Sequence, residues 1–161
     1  MPNTPTRERL GSLVAELLVS AAFVFAEIAE EKPWAAGGLL NARLTLTHGA
    51  EFELALCVPG GLAPELAANL LALEPDSAEA KANASDAVGE LANMLAGILA
   101  VEIFGRDVVC KIGVPRVACE TAADHDSHFG RVSCRVSLQT EEGYRVDAAL
   151  AGIPPESGGA S

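Results

Sequence analysis

Two segments with helical periodicity, residues 7–31 and 85–104, are each followed by a pair of runs alternating apolar and polar residues; this order constrains the fold more than any other feature. In the first segment Leu10, Leu13, Val14, Leu17, Leu18, Ala21, Val24, Phe25 and Ile28 recur at three- and four-residue steps, which predicts one long helix with a shared apolar face. Val19, Ala22, Phe23 and Ala26 add a second apolar surface, to be buried on both sides or against another subunit. Pro33 cannot continue the helix. The runs Leu40–Leu46 and Phe52–Val58 flank His48-Gly49 and predict a hairpin with one buried face. A short helix over about Pro64–Leu73 and a polar loop over Glu74–Ser85 lead to the second long helix, with Ser85 as its cap. After a strand at Val108–Val114, Pro115 and a polar loop around His125, residues 131–138 and 144–150 form a second hairpin through Glu141-Glu142-Gly143. The expected class is α+β, helices on a largely antiparallel sheet, and the repeated order implies an internal duplication.

A chain of 161 residues, half of them apolar, supports one domain with a real core. The expected division is a single domain over residues 1–153 and a flexible Gly/Ser/Pro-rich tail over 154–161. Eleven basic residues against 22 acidic ones give a net charge of −11, which argues against nucleic-acid binding. The uncharged stretch Leu17–Ala26 is far shorter than the roughly 20 residues a membrane span needs, and no small-x-small cleavage site follows it. A cytoplasmic protein without membrane association is expected.

Cys57, Cys110, Cys119 and Cys134 form no C-x-x-C pair and read as reduced, buried thiols. The run Asp124-His125-Asp126-Ser127-His128, with Cys119, carries metal-ligand chemistry, yet solvated His and Asp are ordinary in a polar connection, and no metal is assigned.

The second helix is the informative one. Val88, Leu91, Leu95, Ile98 and Leu99 fall on one side, with Glu102 projecting onto that side near the end, while Asp86, Glu90, Asn93 and Gly97 line the other. The stripe ends in a glycine, so a carboxylate and a carboxamide point the same way from a rigid rod and nothing bulky covers them from the C-terminal side. Such a stripe on its own reads as a solvated helix face.

Asp86-x-x-x-Glu90-x-x-Asn93, followed after 21 residues by Pro115, resembles the phosphatase motif of the CheC, CheX and FliY chemotaxis proteins, and Glu90–Gly97 is similar to that family's E-x-x-N-M-x-A-G stretch. The gap to Pro115 is one residue shorter than usual there, and Arg116-Val117-Ala118-Cys119 lacks the glycine often found after the proline. Members with two sites carry the motif in both long helices. Here the first helix has Glu16 but Val19 three residues later, a one-site pattern that resembles CheX.

The resemblance implies a CheC/CheX-like fold and a hydrolase acting on the phospho-aspartate of a CheY-type response regulator in two-component chemotaxis signalling. It implies Glu90 and Asn93 as the catalytic pair, with Asp86, Gly97 and Pro115 as supporting motif positions. A carboxamide both accepts and donates hydrogen bonds but is too weakly basic to take a proton, so Asn93 would orient the attacking water. Glu90 would pair with the regulator's lysine. Mg²⁺ would be held in the regulator's site, leaving this chain without a cofactor of its own. A homodimer through the second apolar face of the first helix is also expected. The alternative is a non-catalytic module that docks on a receiver domain or a flagellar-switch component.

Overall fold

The computed structural model describes residues 2–34, 37–128 and 134–153. The expected tail from Pro154 onward, and Arg131–Ser133 of the second hairpin, lie outside the described residues.

The first helix, α1, is shorter than its periodicity predicts, covering Arg7–Ala22. Thr6 caps it by accepting from the Arg9 N–H, and Glu8 in the first turn suits the positive end of the helix dipole. The chain then turns at Phe23, which adopts a left-handed conformation, φ 56°, while the Phe23 and Val24 N–H groups close back onto the carbonyls of Val19 and Leu18. Beyond that point Val24 to Ile28 alternates, and Ala26–Ile28 is a strand, β1. Continued as a helix, Glu27, Glu30 and Glu31 would have placed three carboxylates at the negative helix end. Phe23 and Phe25, assigned to apolar faces by helical spacing, are exposed instead.

Strands β2 (Leu39–His48) and β3 (Ala50–Pro59) form the expected hairpin, in register from Leu39 opposite Pro59 to His48 opposite Ala50. The expected short helix is α2 (Ala63–Leu71). The segment read as a loop holds a further short helix, α3 (Ala78–Ala82), capped by Ser77 Oγ accepting from the Ala80 N–H. The second long helix, α4, spans Ala84–Phe104, and its cap position is Asn83; Ser85 lies exposed inside the first turn. Only Lys111–Ile112 of the predicted strand over 108–114 pairs, as β4, while a longer strand, β5 (Arg116–Glu120), begins after Pro115. The polar connection around His125 is helical, α5 (Ala122–His128), opened by a reciprocal pair in which Thr121 Oγ1 accepts from the Asp124 N–H and Asp124 Oδ2 accepts from the Thr121 N–H. Strands β6 (Cys134–Thr140) and β7 (Arg145–Ile153) complete the second hairpin.

All seven strands join one antiparallel sheet in the order β1-β6-β7-β3-β2-β4, with β5 beside β4 on the free side of β2. The order is a palindrome of the two halves of the chain. α1-β1-β2-β3 corresponds to α4-β4/β5-β6-β7, the central strands β3 and β7 pair with each other, and each half lends its first strand to the edge of the other. The repeated element order implied two like halves of helix and hairpin on an antiparallel sheet, but not the exchange of edge strands, since β1 was expected to be helical.

Leu10, Leu18, Leu66, Leu91, Leu95 and Leu99 pack with Leu46, Leu54, Leu56 and Leu138 between the helices and the inner sheet face. Burying a leucine side chain is worth roughly 1.5–3 kcal/mol each. α4 has the length and hydropathy to cross a membrane, yet 56% of its most apolar window is buried inside the protein, as befits a core helix.

The outer face of the sheet is also partly buried, contrary to a hairpin with one buried face. Asn41, Cys57, Asp147 and Ser137 form a row across β2, β3, β7 and β6, all buried.

Candidate functional site

α4 lies with Val88, Leu91, Leu95 and Leu99 against the sheet, which turns Asp86, Glu90, Asn93 and Gly97 outward to solvent. Among the described residues no side-chain hydrogen bond or ion pair occupies Asp86, Glu90 or Asn93. Asn93 lies three positions after Glu90, a rise of roughly 4.5 Å along the helix, so one approaching surface can meet both. A β-carbon built on Gly97 would find nothing within 4 Å, so the ridge is open toward its C-terminal end. Ile98, assigned to the buried side, is partly exposed at the edge of this ridge. Glu102, which looked misplaced among apolar residues, is gripped by Arg9 of α1 through contacts of 2.7 and 3.1 Å. The guanidinium holds the Glu102 carboxyl below the usual range.

Pro115 is not part of the ridge but rests beside it. A β-carbon on Gly89 would come within 3.2 Å of Val117 Cγ2 and 3.8 Å of Pro115 Cβ, so the bare backbone at Gly89 is what lets the start of β5 press against the turn of α4 that bears Glu90. The sequence reading did not single out Gly89. The signal was there, a glycine inside an apolar helix, which commonly marks close backbone approach.

The residues around His125 assemble a second polar cluster, on the outer face of the sheet. His125 is 1% exposed rather than solvated, and its Nε2 lies 3.1 Å from Asp147 Oδ2. Ser137 Oγ donates to Asp147 Oδ1 at 2.7 Å, Arg145 donates to both carboxylate oxygens, and Arg135 reaches Oδ2 at 3.2 Å. Trp34 stands edge-on to the His125 ring, with the Arg145 guanidinium 4.2 Å from its centre. Burial alone would push the Asp147 carboxyl up. The hydrogen bonds from His125, Arg145 and Ser137, with the Arg145 charge, outweigh it and hold the group well below the ordinary range. An ionised carboxylate only accepts, so His125 Nε2 carries the proton. Serine and histidine both bond the aspartate rather than each other, so the cluster lacks the serine–histidine contact of a hydrolytic triad. It fastens α5 to the sheet. Among the described residues no group of His, Cys, Asp or Glu is arranged to hold a metal ion. The side chain of His128 lies outside the described residues. Cys57 and Cys134 are buried as expected, but Cys110 is half-buried and Cys119 exposed; all four are free thiols.

Residues 40–136 match the family model described as chemotaxis phosphatase CheX, and the chain belongs to that family. The fold agrees with solved structures of the wider group. CheX in the CheX-CheY-BeF3-Mg²⁺ complex from Borrelia burgdorferi is 16% identical, with a TM-score of 0.65 over 90% of this chain and 96% of that one. CheX from Desulfovibrio desulfuricans is 12% identical, with a TM-score of 0.59 over 89% and 96%. FliY from Thermotoga maritima is 16% identical, with a TM-score of 0.55 over 95% and 93%. No curated protein matches the sequence.

Proposed function

We propose that this chain dephosphorylates the phospho-aspartate of a CheY-type response regulator, and that Asn93 and Glu90 carry the activity. The observation that carries the reading is the outward, unoccupied placement of both groups on one ridge of α4, open at Gly97. Family membership supports it, as does the likeness to a CheX solved together with CheY, BeF3 and Mg²⁺.

The chemistry asks little of the phosphatase. An acyl phosphate is already reactive, and its own Mg²⁺ and lysine sit in the regulator, so the catalyst supplies position. The ridge enters the regulator's pocket. Asn93 accepts a hydrogen bond from a water proton and aligns the water oxygen with phosphorus. A bond from that oxygen to phosphorus forms, the bond from phosphorus to the aspartyl oxygen breaks, and the water's proton leaves to solvent with the phosphate. The carboxamide holds the geometry and takes no proton. Glu90 meets the regulator's lysine where the interface excludes water, an ion pair that fixes how far the ridge enters. Asp86, one turn earlier, faces the same cationic surface. Pro115 steadies the loop beside them. α4, packed along its apolar side on the sheet, acts as the rigid mount within the single domain expected over residues 1–153.

A phosphate-release assay on an Mg²⁺-loaded phosphorylated receiver, with and without this protein, tests the reading. Accelerated phosphate loss supports it. Binding without acceleration would replace it with the docking-module alternative.

A further inference from the structure

The ridge has a neighbour on the sheet side. The loop Gly113–Pro115 is fastened at both ends. The Gly113 N–H donates to the Thr45 carbonyl at 2.8 Å, and a β-carbon there would lie 2.8 Å from Thr45 Oγ1, so the backbone is flush against β2. Pro115, with its fixed φ, lies beside Gly89, the residue before Glu90, its Cβ 3.8 Å from where a β-carbon on that glycine would sit. Between these anchors Val114 is 85% exposed. Scattered exposed valines are ordinary on protein surfaces. This one differs in its mounting, because one chain neighbour is hydrogen-bonded to β2 and the other is a proline of fixed φ beside α4, which restricts the backbone that carries it. An apolar group held in place beforehand loses little conformational freedom when a partner covers it.

We infer that Val114 is an apolar docking knob of the same interface. The receiver domain that accepts Glu90 and Asn93 into its phosphoryl pocket covers Val114 with apolar surface at the pocket's rim. The occupant follows from continuity. Val114 precedes the proline that lies beside the Glu90 turn, so a body seated on the ridge reaches the loop as well. This rests on the function proposed above. A polar ridge fixes orientation, and an apolar contact beside it supplies area for affinity without touching the reacting atoms.

The test compares Val114→Asp with Val109→Asp in the full chain, measuring kcat and KM on a phosphorylated CheY-type receiver and Kd for the same receiver loaded with beryllofluoride and Mg²⁺. Val109 is 89% exposed but lies away from the proline anchor, where its carbonyl meets His48 Nδ1. Val114→Asp is expected to raise KM and Kd about tenfold with kcat within twofold of the parent, a change equal to about 1.4 kcal/mol. Val109→Asp is expected to change neither constant, and both variants should unfold at the parent's urea midpoint. An unchanged KM for Val114→Asp, a loss confined to kcat, or an equal loss in Val109→Asp would each overturn the inference. Asn93→Ala in the same assay separates the two ideas. If it lowers kcat while Val114→Asp is silent, the proposed function stands without the knob; if Asn93→Ala is silent too, both fall.

Discussion

Pro115 and Gly89 are neighbours across the 25 residues that separate them in the chain: a β-carbon at position 89 would sit 3.8 Å from Pro115 Cβ and only 3.2 Å from Val117 Cγ2, so the missing side chain leaves room for β5. Gly89→Leu fills that contact and forces β5 off the helix. Overpacking of this kind costs about 1–3 kcal/mol, which a urea titration reads as a lower midpoint. Gly89→Ala adds only a methyl group facing Val117, and its effect is expected to be smaller than that of the leucine.

Asn93→Ala removes the group proposed to align water, a contribution made chiefly in the transition state. The expected result is a fall in kcat of about a hundredfold, with Kd for a beryllofluoride-loaded receiver within twofold of the parent. Single-turnover phosphate release beside a binding titration checks both halves.

Glu90→Ala removes a docking charge. Affinity for the same receiver is expected to fall at least tenfold, and the slope of log Kd against log salt to become shallower. Titrations at two ionic strengths read the slope.

Asp147 links folding to pH. Its carboxyl is held below its ordinary value of 3.8, so the native state binds fewer protons than the unfolded chain in the acid range. The stabilisation is complete above about pH 5 and is lost progressively as pH falls through 3.8 and below. Chemical unfolding from pH 7 down to pH 3 should show this decline. Asp147→Ala should flatten it and cost about 3–5 kcal/mol at pH 7, because Arg145 and Arg135 lose their shared buried anion.

The thiols should separate by reactivity. Burial, with the charges of Asp147 and Glu120, pushes Cys57 up to about 12, so at pH 8 it carries almost no thiolate. Iodoacetamide is expected to modify exposed Cys119 first and to reach Cys57 only in denaturant, as peptide mass mapping over time would show.

Both hairpins were legible because period-two alternation and turn residues agree, and the described strands pair across those turns. The α4 stripe was legible for a similar reason, since buried leucines on one side leave Asp86, Glu90, Asn93 and Gly97 outward whatever the tertiary detail. The end of α1 was not. Val24-Phe25-Ala26-Glu27-Ile28 satisfies both helical and strand spacing, and the contest is decided by pairing with β6, more than a hundred residues away. His125 was misread because composition made its surroundings look solvated, although Thr121-x-x-Asp124 carried a helix-start signal. Its partner Asp147, which also gathers Ser137 and Arg145, comes from the hairpin that follows, 22 residues on, and no local pattern announces such a meeting. Glu102 is a similar case, with its partner Arg9 on another helix.

The exchange of edge strands ties the two halves into one event during synthesis. β1 has no place to settle until β6 has been made, and β2 keeps a bare flank until β4 and β5 arrive. A nascent chain halted after α2 would hold a hairpin and two helices whose apolar surfaces still await partners encoded downstream. Cutting this protein at its midpoint would therefore not yield two small domains, only two fragments that need each other.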